Sequence, residues 1–331
     1  MCHAHGWFLS APALPLWQGS SVMSTTLERQ RWSRQVVGAL PPTNWASLAQ
    51  GPRPWLCLNG AHSETLEQDV QAATKRFDYH WIWRGTAREY GDPGYRQGPM
   101  LVPLDEPLNA HAVDRWLRQR AGLILLGPDD DDALVEHLQR LHTLTASDGF
   151  PIGFSLHAAR QLEELCEGLP AIRLSELFGP VQRFIWYAGD EQTGEWLFAD
   201  APSSDRPMVM TEEPIALTMD DEAALDQASL AWFMRDCARE LRQRFPAYDH
   251  PDNESMLWRH LGHFANEATD QLALTVERDV RHYMALRFQY PHELFAKDAT
   301  LRDILLQRQV EGKQRLFDAE ARLVARVAPA S

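Results

Sequence analysis

Apolar positions along this chain follow two rhythms. Between about residues 54 and 199, short apolar runs alternate with stretches in which apolar side chains recur every three or four positions. Beyond about residue 220 only the second rhythm remains. Runs bounded by Gly, Pro or Asn signal strands, and the three-to-four spacing signals amphipathic helices. Strands are expected over 55–58, 79–83, 100–104, 122–126 and 150–156, with helices over 63–77, 109–121 and 158–168. Four carboxylates, Asp129 to Asp132, precede Leu134, Val135, Leu138 and Leu141. They read as a helix start, since acids cap free N–H groups and suit the positive end of the dipole. The run lacks the Gly and distal Glu of a calcium loop.

The densest apolar stretch runs from Leu174 to Phe198. Gly179-Pro180 interrupts it with a residue free to take positive φ and one with fixed φ. Val181, Phe184, Ile185, Trp186 and Tyr187 then suit a pleated strand. A polar loop over 189–194 returns the chain into a second strand from Trp196 to Ala199, which makes a hairpin. So 54–199 reads as sheet and helix.

Residues 200–226 hold eight acids (Asp200, Asp205, Glu212, Glu213, Asp220, Asp221, Glu222, Asp226) against one Arg206, with Pro202, Pro207 and Pro214 between. That is connector composition. After it, Leu230, Phe233, Cys237 and Leu241 mark one helix, ending near Pro246. Asn253 or Ser255 is expected to cap a second helix through Trp258, Leu261 and Phe264. Thr275 is expected to cap a third that stops before Pro291, and a charged segment over 298–327 bends at Gly312. Residues 1–22 fit none of this and lack the basic start of a secretory signal, so Met23 is the expected translation start. The expected fold class is α/β (α+β). It comprises an extension over 1–23, a sheet-and-helix domain over 24–199, an acidic linker over 200–219 and a smaller helical domain over 220–331.

Composition narrows the function classes. The 331 residues are 44% apolar and 24% charged, as expected of a folded chain. A net charge of −14 disfavours nucleic acid and anionic membranes as partners. No window offers the roughly 20 apolar residues that span a bilayer. Cys2, Cys57, Cys166 and Cys237 are far apart and without CxxC spacing, which reads as free thiols in a reducing compartment, the cytoplasm.

Chemistry-bearing patterns are few. GxGxxG, P-loop, GxSxG, HExxH and kinase motifs are all missing. His260, His263 and Glu267 share one helical face and are the one set with metal-ligand spacing, but no second helix completes a site. Glu163 and Glu164 are sequence neighbours, which on a helix do not face each other. The residues therefore point to no catalytic group, metal or cofactor.

In order and spacing, several short motifs resemble the adaptor family of type VI secretion, the effector chaperones encoded beside VgrG spike proteins. They are Trp55-Leu56-Cys57-Leu58-Asn59-Gly60-Ala61, Trp83-Arg84-Gly85-Thr86, Gly98-Pro99-Met100-Leu101-Val102, the helix over 134–141, and Leu177-Phe178-Gly179-Pro180-Val181 followed by Trp186 and Trp196. The resemblance covers about 54–199. It implies a non-enzymatic cytoplasmic protein that binds a secreted toxic effector and passes it to the VgrG spike. One departure is the segment Gly153-Phe154-Ser155-Leu156-His157-Ala158, which lacks the family's Arg-aromatic-x-Asp-Pro pattern. Alternatives from other classes are a metal-dependent hydrolase built on His260, His263 and Glu267, and a toxin-neutralising immunity protein.

Overall fold

The apolar runs become neighbours in one antiparallel sheet. The computed structural model describes residues 37–40, 45–75, 77–91, 94–154, 157–188, 196–202 and 215–327. The expected extension over 1–23, the loop over 189–194 and most of the acidic linker lie outside the described residues. The chain divides into two units, Trp32–Ala228 and one containing Ser229–Ser331. The fold class is α+β, with a helical C-terminal region.

In the first unit the elements run β1 (Val37–Leu40), α1 (Trp45–Leu48), β2 (Arg53–Asn59), α2 (Leu66–Thr74), β3 (His80–Trp81) and β4 (Pro99–Pro103). They continue with α3 (Glu106–Ala112), β5 (Gly122–Gly127), α4 (Asp131–Arg140), β6 (Thr143–Thr145) and β7 (Pro151–Gly153). Then come α5 (Ala159–Gly168), α6 (Ala171–Phe178), β8 (Arg183–Tyr187), β9 (Trp196–Asp200) and the long α7 (Met219–Arg244). Seven strands form one sheet in the order β1-β9-β8-β5-β2-β4-β3, every neighbouring pair antiparallel. Strands β4 and β5 both flank β2, so the chain crosses over β2 through α3. The hairpin of β8 and β9 pairs Phe184 with Ala199 and Tyr187 with Trp196, as the sequence pattern anticipates.

Helices cover both faces of the sheet, which is why β4 and β5 are buried along their whole length. Leu56, Leu58, Val102 and Ile124 pack on one side with Leu66 and Val70 of α2 and Leu108 of α3. On the other side Phe184 meets Phe178 of α6 edge-on at 4.8 Å, and Gly127 lies beside Trp55 and Leu134 of α4. The helix starts follow the acids. Asp105 accepts from the Leu108 N–H at 2.9 Å, and Asp130 accepts from Asp132 at 3.1 Å and Ala133 at 3.3 Å. Beyond Ala112 the third helix widens into a π-type turn, Val113–Leu117, that buries Trp116 and Leu117.

The structure sharpens the reading at four places. The run over 79–83 is a strand only at His80–Trp81, because the chain turns at Ile82 to Gly85. Within the run over 150–156 the strand is Pro151–Gly153, and it pairs with Thr143–Thr145 in a separate two-stranded sheet. Pro151 lacks an N–H and so suits an edge. Residues 171–178, part of the stretch read around the hairpin, form a helix behind Pro170. The acidic segment ends in a helix from Met219, and Asp220 to Asp226 are its first turns.

Among the described residues the second unit is built of helices: the remainder of α7, then α8 (Glu254–Asn266), α9 (Glu277–Gln289), α10 (His292–Lys297), α11 (Ala299–Leu306) and α12 (Gly312–Val327). Its core joins Phe233, Leu241, Leu261, Tyr283, Leu301 and Leu316, among others. Neither expected cap is made by its side chain: Asn253 precedes α8 but donates its amide to the Ala247 carbonyl at 2.7 Å instead of capping the helix, and the residue before α9 is Val276, not Thr275. A buried arginine and a buried aspartate, Arg315 and Asp298, serve as internal staples. Arg315 donates to the Leu272 carbonyl at 2.9 Å and the Leu305 carbonyl at 2.6 Å, satisfying a helix end that has no partner of its own. Asp298 caps α11 through Leu301 and also accepts from Arg322 and Arg326 of α12. No helix among the described residues is long and apolar enough to cross a membrane.

Candidate functional site

The residues that carry the family resemblance prove to be turn and packing positions. Gly85 has φ +80° and donates its N–H to Glu89 Oε2 at 2.9 Å, while the Thr86 hydroxyl donates to the Trp83 carbonyl at 2.7 Å. Gly98 lies against the Trp83 ring, and Pro99 opens β4 with its carbonyl accepting from Ile82 at 2.9 Å. Phe178 closes α6, and Gly179-Pro180 turns the chain into β8. Trp186 donates its indole N–H to Glu163 at 2.8 Å inside the core. Trp196 meets Tyr187 edge-on at 5.3 Å on the opposite face.

Beside Trp83 is a small pocket lined in part by Cys57, His142 and His157. Its size suits a single water molecule rather than an organic ligand. The ring of His157 is buried, Nδ1 has no hydrogen-bond partner, and burial with the nearby Arg88 charge pushes its pKa down to about 4. Arg88 stacks over the Trp83 ring at 4.5 Å. Cys57 is a free thiol whose pKa burial pushes up to about 12, so it is protonated and inert as a nucleophile. Cys166 and Cys237 are likewise free, buried and raised; Cys2 lies outside the described residues.

His260, His263 and Glu267 are not brought together as ligands. The His260 ring stacks on Phe264 at 5.6 Å and faces Tyr248 and Phe288. The carboxylate of Glu267 is held by Arg287 at 3.0 Å. Arg287 is itself clasped between Phe264 and Phe295, at 4.6 and 4.5 Å. Among the described residues no group of His, Cys, Asp or Glu is arranged to hold a metal ion.

A different site emerges where the acidic segment returns to the first unit, and it was not singled out from sequence. Thr145 of β6 donates to the Ile215 carbonyl at 2.9 Å, and Leu217 donates back to the Thr145 carbonyl at 2.7 Å, a parallel bridge. Arg173 of α6 donates to the Ala216 carbonyl, to Asp221 at 3.2 Å and to Glu176 at 2.6 Å. Glu222 accepts from both the amide and hydroxyl of Ser147, at 2.8 and 2.6 Å. Thr218 and Asp221 cap each other in the reciprocal pattern of a helix start. The Thr-x-x-Asp spacing was visible in the sequence as the one available signal. Phe150, Ile172 and Met219, chain neighbours of these contacts, are exposed. Exposed apolar side chains also occur in the second unit, where Phe317 and Val324 are seven residues apart on α12.

Comparison with protein-family models, with curated proteins and with solved structures finds no match.

Proposed function

We propose that the chain is a type VI secretion adaptor, which binds a toxic effector in the cytoplasm and delivers it to the VgrG spike. The observation that carries this reading is two separately cored units on one chain, each presenting large apolar side chains to solvent. Phe150, Ile172 and Met219 do so on the first, Phe317 and Val324 on the second. A bridging protein needs two such faces, each burying roughly 800 Å² against its partner. The ordered motif resemblance of residues 54–199 points the same way, and it names the partners.

Co-expression of the full chain with the proteins encoded beside it tests the reading. The expected result is a stable complex with a toxin-like neighbour that also retains the spike protein, and loss of effector export when the chain is deleted. Binding to the toxin with no export defect, combined with protection of recipient cells, would make it an immunity protein instead.

A further inference from the structure

We propose that the outer edge of β6 is a docking site for an extended peptide segment of a partner protein, held closed in this structure by the chain's own residues 215–221. The inference deepens the adaptor reading and rests on it for the partner's identity.

The small sheet has one edge open to a strand and one that is blocked. On β7, Pro151 offers no N–H to a further strand. Such a feature keeps a strand edge from pairing. On β6, the Thr145 amide and carbonyl both point away from β7 and are taken by Ile215 and Leu217. Backbone pairing of this kind accepts any extended segment, and side chains supply the selectivity.

The resident segment shows what chemistry the edge selects. Leu217 is its buried apolar residue, while Ala216 and Thr218 are exposed. Four positions after Leu217, Asp221 places a carboxylate on Arg173. The fitting ligand is therefore a peptide that is extended at an aliphatic residue and turns into a helix before an acid four positions on, as Leu217 and Asp221 do. Exposed Phe150, Ile172 and Met219 offer further apolar contact to a longer ligand. The resident segment is held by two backbone bonds, the Arg173 bonds to Ala216 and Asp221, the adjoining Glu222–Ser147 contact and one buried leucine, few enough ties for local opening. Being tethered, it competes at high effective concentration, which keeps the edge closed until a partner displaces it.

The test uses a fluorescein-labelled peptide of residues 215–222 and the full chain. Leu217→Pro/Asp221→Ala alters the resident segment and leaves the edge and Arg173 intact. This double variant is expected to bind the peptide at least about tenfold more tightly than the wild type. Adding Arg173→Ala should abolish that gain. Equal binding to wild type and variant, or no binding to a variant that melts cooperatively, overturns the docking site. Should the variant not fold, hydrogen exchange of the wild type decides. The Thr145 and Leu217 amides are expected to exchange together and well ahead of Leu123 to Leu126, and equal protection overturns the proposal. None of these readouts involves effector or spike, so a failed docking site and a failed adaptor reading are distinguishable. If the adaptor reading holds as well, the double variant retains more effector in pull-down than the wild type.

Discussion

Gly179 sits against the ring of His137, so close that a Cβ on it would lie 2.1 Å from Cε1. Its backbone is also in a region closed to L side chains, with φ +54° and ψ −125°. The imidazole that fills the space is held by its Nε2 at 3.0 Å from the Leu177 carbonyl. This packing joins α4 to the turn that launches β8. Gly179→Ala therefore meets two separate penalties, a clash and a strained φ, and should cost about 3 kcal/mol or more of unfolding free energy. Adding His137→Ala removes the clash and not the strain. In a double-mutant cycle of urea melts the second change should restore only part of the loss from the first.

Gly98 poses the simpler problem. A Cβ there would lie 2.3 Å from the Trp83 ring, yet φ is −84°, which any residue adopts. Gly98→Ala should destabilise by about 2 kcal/mol through displacement of the ring. Here Trp83→Leu should rescue most of the loss from Gly98→Ala, measured as a double-mutant cycle. Nearly full rescue at Gly98 with only partial rescue at Gly179 would separate steric from backbone causes within one fold.

Strands β2, β4 and β5 were legible because they are covered on both faces and so read as unbroken apolar runs. The hairpin of β8 and β9 was legible from its aromatic strands and the polar gap between them. Strand order was not, because antiparallel pairing of β2 with both β4 and β5 depends on how α2 and α3 pack, which local patterns do not encode. Which sheet the strand over 150–156 joins was not legible either, since an apolar run does not encode its partner. His260, His263 and Glu267 had ligand spacing, but the preference of Arg287 for Glu267 is a contact between residues 20 positions apart. Arg173 escaped notice for the same reason: its partners Ala216 and Asp221 are distant in sequence.

Acid lability should centre on two histidines. Burial pushes His137 and His157 down to about 4, from an ordinary value of 6.5. Each is neutral in the fold and takes up a proton more readily once unfolded. Their contribution is fully present above pH 6.5 and is lost as pH falls from 6.5 towards 4. The loss is on the order of 3 kcal/mol for each at the lower limit. His157→Gln should flatten the pH dependence of the urea midpoint over that window, and an unchanged slope would show that the ring does not titrate with unfolding.

Asp226 should act in the opposite sense. It lies one helical turn beyond Glu222 on α7, its Oδ1 is buried with no hydrogen-bond partner, and burial with the Glu222 charge raises its pKa to about 6. The folded state thus holds this proton more tightly than the unfolded chain does. Stability from this group declines as pH rises from about 4 to 6, and the ionised carboxylate is a standing cost above that range. Asp226→Asn removes the charge and should raise the melting temperature at pH 7 while leaving it little changed below pH 4. Glu222→Gln removes the repulsion only, so in an NMR titration it should lower the Asp226 pKa part of the way towards its ordinary value. The same substitution keeps an acceptor for Ser147 but weakens it, since a neutral amide replaces the carboxylate. Faster exchange at the Ser147 amide in Glu222→Gln, and not in Asp226→Asn, would separate the two roles of neighbouring acids on one helix face.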